Sequence, residues 1–189
     1  WDWFCGGCRA SMSPSLTGKV LGDRYRLEER LGSGGMGAVY RAQDLTAGRP
    51  VAVKILLDLL EGEEHRHRFR REFRILTRLS HPCIVAVYDH GQWDGTPYFV
   101  MELLTGADLA AYRSSRGGWL PEEEILPLAV PLCQGLSYIH AHGLIHRDLK
   151  PGNVMLATAQ GRLPEKLAER GWSLKLMDFG LARGHDASA

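Results

Sequence analysis

His146-Arg147-Asp148-Leu149-Lys150-Pro151-Gly152-Asn153 is one of two stretches that decide the fold, and Asp178-Phe179-Gly180 is the other. The first sets a carboxylate and an amide five residues apart around a proline turn. The second adds a further carboxylate, beside an aromatic residue and a glycine. A phosphoryl-transfer site needs such parts: an acid to orient a hydroxyl, and an amide plus another acid to hold magnesium. Taken singly, each is open to a plainer reading as a capping Asp or Asn in a turn.

Working outward, Gly32-Ser33-Gly34-Gly35-Met36-Gly37-Ala38-Val39 reads G-x-G-x-x-G-x-V, and Val51-Ala52-Val53-Lys54 reads V-A-x-K. Glu72 follows Lys54 by 18 residues, inside a helical pattern. A glycine motif alone is weak, because glycine-rich turns are common. Four motifs in this order resemble the protein kinase superfamily, in its serine/threonine branch. The wording Gly34-Gly35-Met36-Gly37, with Val39-Tyr40-Arg41-Ala42 after it, is most similar to bacterial, Hanks-type serine/threonine kinases. The likeness covers about residues 24 to 183.

The resemblance implies an α+β, bilobal kinase-like fold. Its N-lobe would be a five-stranded antiparallel sheet plus one helix, and its C-lobe mainly helical and incomplete. It implies a leader or linker over 1–22, an N-lobe over 23–104 and a partial C-lobe over 105–189. ATP and Mg2+ are the implied cofactors, and a protein bearing Ser or Thr the implied substrate. Asp148 would accept or orient the substrate hydroxyl proton, and Lys150 would offset charge on the transferred phosphate. Asn153 and Asp178 would hold the metal. Leu31, Gly32, Gly34, Gly37, Val39, Ala52, Met101, Glu102, Leu104 and Met155 would line the nucleotide. Lys54, held by Glu72, would contact the phosphates.

The residues carry part of this unaided. Lys54 ends an apolar strand, where an unpaired ammonium is costly. Glycines at 32, 34 and 37 remove side chains where backbone must come close to phosphate. Glu72 has a simpler option, pairing with Arg68 one turn earlier. Met155 reads equally as ordinary core. His146 and Phe179 look structural, since no metal-ligand spacing surrounds them.

Bulk numbers exclude other classes. Lys and Arg total 23 against 22 acidic residues, so no large field draws nucleic acid or an anionic membrane. No apolar run reaches the ~18 residues of a membrane span. With no secretory pattern at the N-terminus, a cytoplasmic location is expected. Cys5-Gly6-Gly7-Cys8 has zinc-knuckle spacing but lacks a second pair. It stays open as a knuckle, a half-ribbon or plain leader; Cys83 and Cys133 read as small core residues.

Periodicity predicts strands at 25–31, 38–43, 51–56, 85–90 and 98–102, a helix over 63–79, and a long helix over 121–142. Pro127 and Pro131 predict a kink or a late start in that long helix. Short strands are expected at 144–145 and 174–177. The 25-residue gap from Asn153 to Asp178 is about twice the dozen usual in the family, so 160–173 reads as an insertion with a short surface helix. The chain stops nine residues after Gly180, and a whole domain of this kind runs to roughly 250. The expectation is a truncated domain with little activity of its own. Its alternative is a non-catalytic nucleotide-binding or scaffold protein.

Overall fold

Alternation of side chains along the strands Gly37–Asp44 and Arg49–Ile55 builds the first half of the molecule. Ala38, Tyr40, Ala42, Val51, Val53 and Ile55 fall on one face and are buried together with Leu21, Tyr25, Leu27, Tyr98 and Val100. Val39, Ala52, Lys54 and Met101 fall on the other. The structure, a computed structural model, describes residues 16–34, 37–56, 73, 75–159, 161–163, 165–169 and 171–178.

The described residues form two units: 16–56 with 89–103, and 73–88 with 104–178. Residues 73–88 thus group with the second unit. The cause is main-chain bonding to the second unit. Val85 N donates to Leu176 O at 3.0 Å, Leu176 N donates to Cys83 O at 2.8 Å, and Ser80 N donates to Tyr138 Oη at 3.1 Å.

The first unit is a sheet with β1 (Val20–Leu21), β2 (Tyr25–Gly34), β3 (Gly37–Asp44), β4 (Arg49–Ile55), β5 (Val87–Trp93) and β6 (Thr96–Met101). Its order is β1-β2-β3-β4-β6-β5. Six strands stand where five were expected. The extra one comes from residues read as leader: Val20 pairs Arg26, Leu21 is fully buried, and Leu16 packs on the core. Leu21, at the edge of a hydrophobic face, gains from burial, while Val20 stays exposed.

The second unit has a three-stranded sheet of β7 (Gly106–Asp108), β8 (Val154–Thr158) and β9 (Trp172–Leu176). It also has α1 (Leu109–Ser115) and α2 (Glu122–Ala141). Leu144 and Ile145 form no strand; β8 and β7, neither among the expected strands, complete the sheet, with β7 pairing β8 from Gly106 to Asp108. Gly106 permits this, because a Cβ there would lie 2.0 Å from Leu156 O. Asp108 then caps α1, its Oδ1 accepting from Ala111 N at 2.9 Å.

Helix α2 starts at Glu122, ahead of both prolines, so no late start occurs. Pro127 and Pro131 lie one turn apart, so the two lost donors share one face of the helix. Packing elsewhere carries it: Leu128, Gly135 and Ile139 are buried, and Glu124 accepts from Tyr112 Oη of α1. Cys83 is buried as expected, but Cys133 is exposed. Of the helix expected over 63–79, residues 73, 75 and 76 are described and helical, with Phe73 and Leu76 buried. Between β8 and β9 the described residues hold turns rather than the expected helix. They are not all surface either: Leu167 is 2% exposed, and its carbonyl accepts from Trp172 Nε1 at 3.0 Å.

Candidate active site

The sharpest cluster lies in the second unit, on the loop before β8. Asp148 Oδ2 is 2.9 Å from Lys150 Nζ and accepts from Asn153 Nδ2 at 3.0 Å. Asn153 Nδ2 also donates to Asp148 O at 2.7 Å. The sequence explains this compact form. Pro151 opens a single 3-10 turn, Pro151–Asn153, after extended Lys150, and Asn153 N closes it onto Lys150 O at 2.9 Å. The turn brings Asn153 back over Asp148.

Two residues of the motifs take left-handed backbone: Arg147 at φ 62° and Asp178 at φ 52°. Aspartate tolerates that region; for a long arginine it is unusual, and such strain gathers at functional loops. Motif spacing alone gave no sign of it. Asp178 is tied to the same loop through its neighbour, since Met177 N donates to Asn153 O at 2.9 Å. His146 is 2% exposed, and its Nε2 is 2.9 Å from Met177 O. A carbonyl only accepts, so Nε2 carries the proton. Burial pushes the His146 pKa down, which agrees with a structural part for this residue. The two main-chain roles of Met177 were invisible in the motifs.

The fit to magnesium can be judged from the donors. Both described contacts of the Asn153 amide use its nitrogen, which leaves its oxygen as the atom suited to a hard cation. Among the described residues no group of three or more His, Cys, Asp or Glu gathers to hold a metal. Magnesium suits one amide and one carboxylate, because it keeps waters and substrate oxygens for the rest of its shell. Residues Asn153 and Asp178 fit that pattern.

In the first unit, strand register places the other expected residues. Val39 pairs with Lys54, and Ala52 pairs with Met101. Lys54 is 8% exposed, with Nζ 5.9 Å from the centre of the Phe99 ring. Leu31 falls at an irregularity between Arg30 and Gly32 and is 45% exposed. Gly37 sits at φ 135°, and a Cβ there would lie 1.9 Å from Ile55 O. Its missing side chain is thus demanded by β4. Gly32 meets nothing within 4 Å, so it has room above it. Gly34 pairs with Gly37 at the hairpin end. Glu102 and Leu104 are half-buried in the link after β6, and Met155 is half-buried in β8. Glu72, Phe179, Gly180, Cys5 and Cys8 lie outside the described residues.

The protein kinase domain family matches residues 25–189. The chain belongs to the protein kinase family. Its relatives include a probable serine/threonine-protein kinase of Corynebacterium efficiens, 42% identical over 89% of this chain and 24% of that protein. Another is serine/threonine-protein kinase PknB of Mycobacterium leprae, 39% identical over 86% of this chain and 25% of that protein. The chain thus spans about a quarter of the length of these curated relatives. Among solved structures, it is similar to the PknI kinase domain of Mycobacterium tuberculosis. The TM-score is 0.76 and the identity 32%, over 89% of this chain and 64% of that one. The expected kinase-like fold is thereby borne out. Protein kinases as a family use ATP and magnesium. Among the described residues, no helix is long and apolar enough to cross a membrane.

Proposed function

We propose that this chain carries the catalytic residues of an ATP-dependent kinase acting on serine and threonine hydroxyls of proteins. The observation that carries the reading is the Asp148–Lys150–Asn153 cluster, with Asp178 bonded in through its neighbour Met177. Asp148 takes the part of the acceptor that orients the substrate hydroxyl. Lys150, whose side chain is 55% exposed, swings between Asp148 and the phosphate to be moved. Asn153 and Asp178 hold magnesium, which when bound offsets the charge of the phosphate oxygens.

The strand residues take the nucleotide. Leu31, Val39, Ala52 and Met101 contact adenine, and the main chain of Glu102 faces its polar edge. Gly32, Gly34 and Gly37 let the loop approach the phosphates. Lys54 meets them as a cation, with Glu72 as its partner. Residues 23–104 form the N-lobe in this reading and 105–189 the part of the C-lobe present. ATP as co-substrate fits a cytoplasmic location, and the near-neutral charge fits a protein rather than a nucleic acid as target.

The test is a thermal-shift titration of the chain with Mg-ATP, beside transfer of labelled γ-phosphate to casein. Mg-ATP should raise the melting temperature, and Lys54→Met should remove most of that rise. No rise, or an equal rise in Lys54→Met, sinks the nucleotide assignment. Binding with no transfer under any condition would favour the non-catalytic alternative.

A further inference from the structure

Helix α2 has a packed face and an open one. Leu128, Gly135 and Ile139 are buried on the first. On the other side Leu126 is 70% exposed, Val130 is 53% exposed, and Cys133 is exposed as well. At about 3.6 residues per turn these three fall in one stripe along the helix. A single exposed apolar side chain is ordinary. A row of them, on a helix whose other face already packs the core, marks a surface that gains from being covered.

The two ends of the stripe differ in charge. Glu123 extends it toward the N-terminus of α2, and Ser137 and His140 extend it toward the C-terminus; all three are exposed. The acidic end has Glu122 beside Glu123 in the first turn, and the other end has His140 in the last. The helix dipole favours that distribution within one copy, and it also leaves the two ends of the stripe complementary to each other.

Turned end for end about a point between Pro131 and Leu132, the stripe meets its own complement. Leu126 then faces Ser137, Val130 faces Cys133, and Glu123 faces His140. All three pairings share that one midpoint, which is also the midpoint of Glu122–Ala141. Large side chains fall against small ones, a carboxylate falls against an imidazole, and a two-fold axis makes each match twice. A parallel pairing has none of this: it sets Glu123 on Glu123 and Leu126 on Leu126.

We propose that two copies of this chain associate through the open face of α2, antiparallel about a two-fold axis. Leu126 and Val130 supply the apolar centre, and the Glu123–His140 pairs close its two ends and fix the register. The inference stands apart from the kinase reading, since it uses none of the same residues. One helix from each copy makes a small interface, so the affinity lies in the micromolar range.

Sedimentation equilibrium of the 189-residue chain tests it. The data should fit a monomer and a dimer with Kd of about 1–100 µM and nothing larger, because a two-fold interface closes on itself. Val130→Glu puts a charge at the centre and should weaken the dimer by about tenfold or more. Its circular dichroism should match the parent's, since the side chain is exposed. Glu123→Lys and His140→Glu should each weaken the dimer by about threefold, and the double variant should recover to within about twofold of the parent. A chain that is monomeric at every concentration has the stripe covered by some other part of itself, and overturns the proposal. Species that grow past two, a Val130→Glu chain that dimerises as well as the parent, or a double variant no tighter than the singles would do the same.

Discussion

Two regions of this molecule pair a sheltered aspartate with a cation, and they differ in who does the holding. At the corner of the first unit, Asp44 is 2% exposed and fully engaged. Arg24 reaches it with two nitrogens at 2.9 and 2.8 Å, and Thr46 N and Ala47 N both donate to it at 3.0 Å. Arg24 extends on to Asp89, which also accepts from Tyr25 Oη at 2.6 Å. On the loop of the second unit, Asp148 meets Lys150, an exposed and flexible ammonium, and the Asn153 amide. Donors fixed in turns and strands make a clamp. A donor on a loose four-carbon stem makes a site whose charges can be rearranged.

Electrostatics follow the same division. The Arg24 guanidinium beside Asp44 is the main cause that holds its carboxyl low, at about 2. Burial, with Asp89 adding to it, pushes the Tyr25 hydroxyl well above its ordinary range. Because the Asp44 pKa is depressed in the folded state, its stabilisation is complete above about pH 4. It is lost as pH falls from about 4 towards 2.

The largest expected effect separates the two aspartates. Asp148→Asn should lower phosphate transfer about 10³-fold while shifting stability by less than about 1 kcal/mol. Asp44→Asn should do the reverse. It should cost about 2–3 kcal/mol in urea unfolding, since a buried charge-assisted cluster is broken, and leave the Mg-ATP shift in place. If Asp44→Asn silenced transfer in chain that is still folded, the distinction between clamp and site would collapse.

Next in size is the cation in each region. Lys150→Met should reduce transfer by about 10- to 10²-fold with little change in unfolding midpoint. Arg24→Met should lower the urea midpoint only modestly, because the guanidinium is partly open to water, with transfer unaffected. Equal losses of stability in the two variants would mean that Lys150 is held as firmly as Arg24.

The same contrast governs what could be read from the chain. The catalytic loop was legible because its parts lie within eight residues and every one has a type that its chemistry demands. The corner was not: Arg24, Asp44 and Asp89 are separated by 20 and 65 positions, and nothing local links them. Strand β2 was legible from alternation, and β4 from a run that is apolar on both faces. Strand β1 was not, because two apolar residues carry no period, and β7 was hidden because a glycine and a polar residue read as linker. The insertion looked like a surface helix because its composition is polar. One buried leucine, Leu167, ties it down instead, its carbonyl accepting from Trp172 Nε1.

The smallest effect concerns His146, which belongs to the loop region but behaves like the corner. Its Nε2 proton is committed to Met177 O, and burial is the leading cause of its lowered pKa. The folded chain thus resists protonating it, while the unfolded chain takes up a proton near pH 6.5. Stability from this residue is present above that pH and fades as pH falls below it. Stability should therefore fall between pH 7.5 and pH 5.5. His146→Gln keeps an amide donor at the reach of Nε2 but cannot titrate. Urea midpoints measured at the two pH values should therefore lie closer together in the variant, whatever its absolute stability. Parallel slopes would show that His146 gains its proton in the folded chain as readily as in the unfolded one, and that its place beside Met177 is wetter than the clamp it imitates.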